Sequence, residues 1–218
     1  MFDKLIKFVR DQYGTDQFIP LHAPTFAGRE RELVLDTIES TYVSSVGAYV
    51  DGFERDMAEF TGSPRAVAVV NGTAALHVAL KLAGVQRDDL VVTQPLTFVA
   101  TCNAIDYCGA EPLFIDVDRH SLGLSPTALD AWLTEHAIVA DDGSCRTRDG
   151  LRRISACLPM HTFGHPVDLD ALIDVCKRWQ LALIEDAAES LGSLYKGRQT
   201  GTFGDIGVLS FNGNKIIT

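Results

Sequence analysis

From Arg65 onward, short apolar runs of β type alternate with segments of helical period, and that alternation leaves few folds open. Runs of Val, Ile and Leu without polar interleaving suit strands covered on both faces. Their repetition between helices builds βαβ units around a mainly parallel sheet. The predicted strands are 66–70, 90–93, 112–115, 154–158, 181–184 and 206–211. Between them the spacing predicts helices over 73–82, from Pro126 (after the capping Ser125) to about 135, and over 168–179. Ahead of the sheet, 29–40 and 46–60 are amphipathic, whereas the polar, glycine-containing stretch 140–153 reads as an exposed loop or hairpin. The expected organisation is an N-terminal helix and arm over 1–27, then an α/β large domain over 28–218 with helices flanking the sheet. The last predicted strand ends close to Thr218 with no second domain after it, so the C-terminal part of the domain is expected to be absent.

Composition excludes whole classes. With 19 Lys and Arg against 29 Asp and Glu, the net charge of −10 lacks the basic footprint that a nucleic-acid backbone needs. An anionic ligand must instead be held by local donors. No run of about 18 apolar residues suggests a membrane span, and the N-terminus lacks the apolar core of a secretory signal; a cytoplasmic protein is expected. The five cysteines are an odd count with no metal spacing and read as reduced, mostly buried small hydrophobes. No metal site is expected.

The residues with chemical interest fall at predicted strand ends, where open α/β sheets bind ligands. Asn71-Gly72-Thr73 lets the backbone approach an anion and presents free amides at a helix start, although such a sequence also serves as an ordinary cap. Asp186 follows a buried strand, where a carboxylate needs a partner. A protonated pyridine nitrogen about 4 Å away would supply roughly 4 kcal/mol at an effective dielectric near 20, while a helix cap for 187–190 is the plain alternative. Lys215 sits on an Asn-Gly turn just past a strand and is either an imine-forming amine or a surface lysine. Phe98, in Pro95-Leu96-Thr97-Phe98, lies against a planar cofactor or packs in the core. Neither a nucleoside-triphosphatase loop nor a dinucleotide glycine fingerprint occurs, which leaves an oxidoreductase reading without support.

Taken in order, Asn71–Leu76, Pro95–Thr101, Glu185-Asp186-Ala187-Ala188-Glu189-Ser190 and Gly204–Gly207 through Ser210-Phe211-Asn212-Gly213-Asn214-Lys215 resemble the DegT/StrS-type sugar aminotransferases, which have the aspartate-aminotransferase (PLP type I) fold. Tyr42–Gly47 and His161–Pro166 look most like the LegC branch. That branch aminates UDP-linked 4-keto-6-deoxy-N-acetylhexosamines towards legionaminic acid, bacillosamine or related sugars. The resemblance implies pyridoxal 5'-phosphate as cofactor, with Lys215 forming the internal aldimine, Asp186 pairing with the pyridine nitrogen and Phe98 on the ring. It places Gly72, Thr73 and Ser210 on the phosphate. Glu189 stands near cofactor and sugar where many relatives carry glutamine. Ser44 and Ser45 line the sugar pocket or cap a helix, and His161 lies near the substrate. Glutamate is the implied amino donor and a homodimer the implied assembly. Deoxygenating relatives replace the lysine with histidine, so lysine here implies transamination. Because relatives continue past the lysine and borrow partner-subunit groups, the rival expectation is a non-catalytic PLP-binding or regulatory fragment.

Overall fold

The structure, a computed structural model, describes residues 2–218. Ahead of the sheet come α1 (Asp3–Tyr13), α2 (Glu30–Glu39), α3 (Ala48–Thr61) and α4 (Gly72–Leu82). Then follow β1 (Leu90–Thr93), α5 (Val99–Tyr107), β2 (Glu111–Phe114), α6 (Pro126–His136), β3 (Ala137–Val139), β4 (Cys145–Thr147) and β5 (Ile154–Cys157). The chain closes with α7 (Leu169–Arg178), β6 (Ala182–Asp186), β7 (Leu194–Tyr195), β8 (Arg198–Gln199) and β9 (Ile206–Val208). The main sheet has the order β2-β1-β5-β6-β9 and every pairing in it is parallel. Polar stretch 140–153 is a hairpin, with β3 and β4 antiparallel. Among the described residues, no helix is long and apolar enough to cross a membrane.

Side-chain alternation along the strands divides the core in two. Leu90, Val92, Cys157 and Leu183 pack on one face beneath Leu129, Leu133, Leu169 and Leu172 of α6 and α7. Val91, Ala156, Ile184 and Val208 pack on the other beneath Leu76, Leu80, Ala104 and Ile105 of α4 and α5. Both faces are thus buried, which explains why the strands read as unbroken apolar runs. Asn71 caps α4, Ser125 caps α6 and Asp168 caps α7, each accepting an amide hydrogen from the third residue on.

One predicted strand is absent. Residues 66–70 are irregular and expose Val67, Val69 and Val70; the Ala68 amide donates to the Glu54 carboxylate instead of to a ladder. A strand exists only with a neighbour to pair with, and β9 pairs with β6 alone. Several boundaries also move, two of them at the ligand-binding edge. β6 runs on through Asp186 rather than ending at 184, and β9 stops at Val208, leaving Ser210 in open chain.

The sheet order reverses between β1 and β5, so their carboxyl ends part to form the crevice where such sheets bind ligands. Gln94, fully buried, holds that crevice together. Its Oε1 accepts from the amides of Leu124 (2.9 Å) and Met160 (3.2 Å). Its Nε2 donates to the Met160 carbonyl (3.0 Å), the Thr162 hydroxyl (3.0 Å) and the Leu96 carbonyl (3.2 Å). Replacing Gln94 by Ala orphans buried amides and carbonyls on three loops, and we expect a loss of about 3 kcal/mol, read from the urea-unfolding midpoint.

Candidate active site at the carboxyl edge of the sheet

Asp186 ends β6 with its side chain on the α4/α5 face and is 3% exposed. Its Oδ2 accepts from the Thr101 hydroxyl of α5 at 2.7 Å and its Oδ1 from the Ala188 amide at 3.2 Å. No helix follows at 187–190, so the capping alternative does not apply. Burial pushes the Asp186 carboxyl above its ordinary value, against the opposing pull of Thr101, the Ala188 amide and the Lys215 charge. Few donors in a dry place leave this carboxylate seeking a cationic or N–H partner.

Lys215 reaches the same space. Its amide closes the turn onto the Asn212 carbonyl at 2.8 Å, and Phe211 just before that turn packs edge-on against Phe53 of α3, centroids 5.0 Å apart. The Lys215 Nζ, in a largely buried side chain, donates to Glu189 Oε1 at 3.0 Å and lies 5.5 Å from the centroid of the Phe98 ring. The surface-lysine alternative is therefore wrong for this turn. Phe98 is not core either: it is 58% exposed at the start of α5, its amide donating to the Met160 sulfur at 3.4 Å. A flat aromatic face stands open beside an amine.

Gly72 and Thr73 open α4 two chain segments away, against Ser210. A Cβ on Gly72 would come 3.1 Å from Ser210 Cβ and 3.2 Å from its Oγ, so glycine is what allows the helix start and Ser210 to meet. Asn71 takes the Ala74 amide, and the amides of Gly72 and Thr73 remain for a ligand at the positive end of the helix dipole. The result is a small set of hydroxyl and amide donors, suited to an anion.

The structure brings Gly72, Thr73, Phe98, Asp186, Glu189, Ser210 and Lys215 to one edge. It does not bring Ser44 and Ser45 there: both are exposed on the segment before α3, and Gly47 rather than either serine precedes that helix. His161 needs correction as a substrate contact. It is 0% exposed, its Nε2 lies 3.0 Å from Glu185 and its Nδ1 accepts from the Val167 amide at 3.3 Å, so it stands behind the site. Sequence reasoning passed over Thr101 as Asp186's donor, and Gln94 and Glu185 as hubs. A buried-strand position occupied by a charged or amide residue next to Asp186 or after β1 was the only available signal.

A lysine amine, a buried acid, an exposed ring and an anion seat on a parallel sheet of this order define an aminotransferase-like α/β large domain. The family model for DegT/DnrJ/EryC1/StrS aminotransferases matches residues 24–218, and the chain belongs to that family. It is 38% identical over 92% of its length to GDP-perosamine synthase of Caulobacter vibrioides, covering 49% of that protein. It is 41% identical over 92% of its length to EpsN of Bacillus subtilis, a protein whose name places it among pyridoxal phosphate-dependent aminotransferases, again covering 49% of it. The crystal structure of an aminotransferase from Psychrobacter cryohalolentis superposes with a TM-score of 0.78 at 32% identity, covering 93% of this chain and 47% of that one. The chain thus spans about half the length of the curated relatives it matches.

Asp186 generates a pH prediction. Its folded-state carboxyl is raised, so its contribution to stability is complete below the unfolded value near 3.9 and is lost as pH rises through the folded one. Asp186→Asn removes that penalty. In differential scanning fluorimetry of the cofactor-free protein, the variant should melt higher than the parent at pH 7.5, with the gap closing towards pH 4.

Proposed function

We propose that the protein transfers an amino group from glutamate to the C4 ketone of a nucleotide-linked keto sugar, with pyridoxal 5'-phosphate as cofactor. The observation that carries this reading is the convergence of the Lys215 amine, the donor-poor Asp186 carboxylate and the open Phe98 ring within one crevice. The residues fit that cofactor: the close Gly72–Ser210 approach sets helix-start amides beside hydroxyls suited to a phosphate, and Asp186 offers the counter-charge for a ring nitrogen.

When bound, pyridoxal phosphate supplies an electron-withdrawing ring that accepts the electron pair released at the substrate carbon. This chain's residues would hold and orient it. Lys215 would hold the cofactor through its Nζ, and the free amine would take up and return a proton at that atom. Glu189, at 3.0 Å, holds the Lys215 Nζ beside the Phe98 ring. Asp186, positioned by Thr101, would keep the ring nitrogen protonated, and Gly72, Thr73 and Ser210 would bind the phosphate through amides and hydroxyls. The acceptor in this reading is a UDP-linked 4-keto-6-deoxy-N-acetylhexosamine, on the strength of the Tyr42–Gly47 and His161–Pro166 motifs. A homodimeric, cytoplasmic enzyme belongs to the same reading.

Mixing the protein with pyridoxal phosphate should produce a visible absorbance band, and Lys215→Ala should abolish it. Glutamate with UDP-linked 4-keto-6-deoxy-N-acetylhexosamine should then yield the amino sugar by mass spectrometry. Turnover of only a GDP-linked sugar would overturn the acceptor assignment, and a band without turnover of any sugar would favour a cofactor-binding fragment.

A further inference from the structure

Glu185 is the residue before Asp186 and points to the opposite face of β6. It is 0% exposed, and a carboxylate there costs several kcal/mol unless water is replaced by donors. Four donors replace it. Oε1 accepts from the amides of Phe203 (2.6 Å) and Gly204 (2.7 Å). Oε2 accepts from the Gly201 amide (2.8 Å) and faces His161 Nε2 (3.0 Å). Since the Val167 amide donates to His161 Nδ1, the ring proton sits on Nε2 and is donated to the carboxylate. Burial pushes the Glu185 carboxyl up, but the His161 ring and the Gly204 and Gly201 amides outweigh it, and the group lies below its ordinary value.

The three amides belong to the turn that feeds β9. That turn is clamped to β6 a second time by Asp205, whose carboxylate accepts the Leu183 amide at 2.9 Å. A Cβ on Gly204 would meet the Leu183 carbonyl 2.5 Å away, and one on Gly207 would collide with the Gly201 carbonyl. The turn therefore enters β9 in one register: Glu185 opposite Gly207 and Asp186 opposite Val208. Ser210 and Lys215 follow directly. A slip of one residue would move every side chain after it to the other face.

We propose that Glu185 is a positioning residue, touching no ligand, whose carboxylate gathers the 201–204 amides and so sets where Ser210 and Lys215 stand relative to Asp186 and Gly72. It deepens the aminotransferase reading but is separable from it, because the register is a property of the protein without cofactor.

The test compares Glu185→Gln, which turns one acceptor into a donor aimed at an amide, with the parent. Hydrogen exchange of the cofactor-free protein should speed up roughly tenfold or more over 199–215 and stay unchanged over 90–93 and 154–157. In the cofactor-loaded protein, the share of bound pyridoxal phosphate that borohydride fixes to Lys215 should fall several-fold. Uniform loosening, or none, overturns the proposal, as does a loosened 199–215 with an unchanged fixed share. Should the parent bind no cofactor, the aminotransferase reading fails and the exchange pattern alone decides. If Glu185→Gln does not fold, His161→Phe and His161→Gln decide: loosening of 199–215 in the first, restored by the amide donor of the second, supports the proposal, and identical behaviour overturns it.

Discussion

A carboxylate leaves water at a cost of several kcal/mol unless protein donors stand where water stood. Strand β6 carries two in succession, and they are treated in opposite ways. Glu185 receives three amides and an imidazole N–H, and its carboxyl falls below the ordinary value. Asp186 receives one hydroxyl and one amide, and burial raises it. The first is satisfied and anchors backbone. The second is left short of donors beside an amine, an open aromatic ring and an anion seat, and such a perturbed carboxylate marks a candidate functional site.

The parallel sheet explains why these groups meet although they are far apart in sequence. Every strand of it delivers its carboxyl end to the same edge, so the residues after β1, β5, β6 and β9 share one crevice. Phe98, Met160, Asp186 and Ser210 are each within a few residues of such an end. The helices contribute only their starts: Gly72 and Thr73 from α4, Phe98 and Thr101 from α5.

Legibility in the sequence followed chemistry more than geometry. Strands with two neighbours or two covered faces, such as β1 and β5, were plain from their apolar runs, and helices with Ser125 or Asp168 at their heads were plain from their caps. The run 66–70 has the same composition but no partner strand, and composition carries no information about pairing. Asp186 and Lys215 could be picked out because charge beside a buried strand demands a reason. His161 could be picked out too, but not placed, since a histidine looks the same facing a ligand or facing Glu185. Gln94 offered only the faint signal of an amide residue directly after β1: its importance lies in four bonds to residues remote in sequence.

Those remote bonds have a kinetic consequence. The Gln94 contacts to Leu124, Met160 and Thr162 span 30, 66 and 68 residues, and contacts that close long loops are rewarded only after much chain entropy has been surrendered. Local helices such as α6 and α7 can form early, whereas the crevice closes only when three distant connections arrive together. Joining the three loops at that crevice therefore carries a larger loop-closure entropy than winding α6 or α7 does.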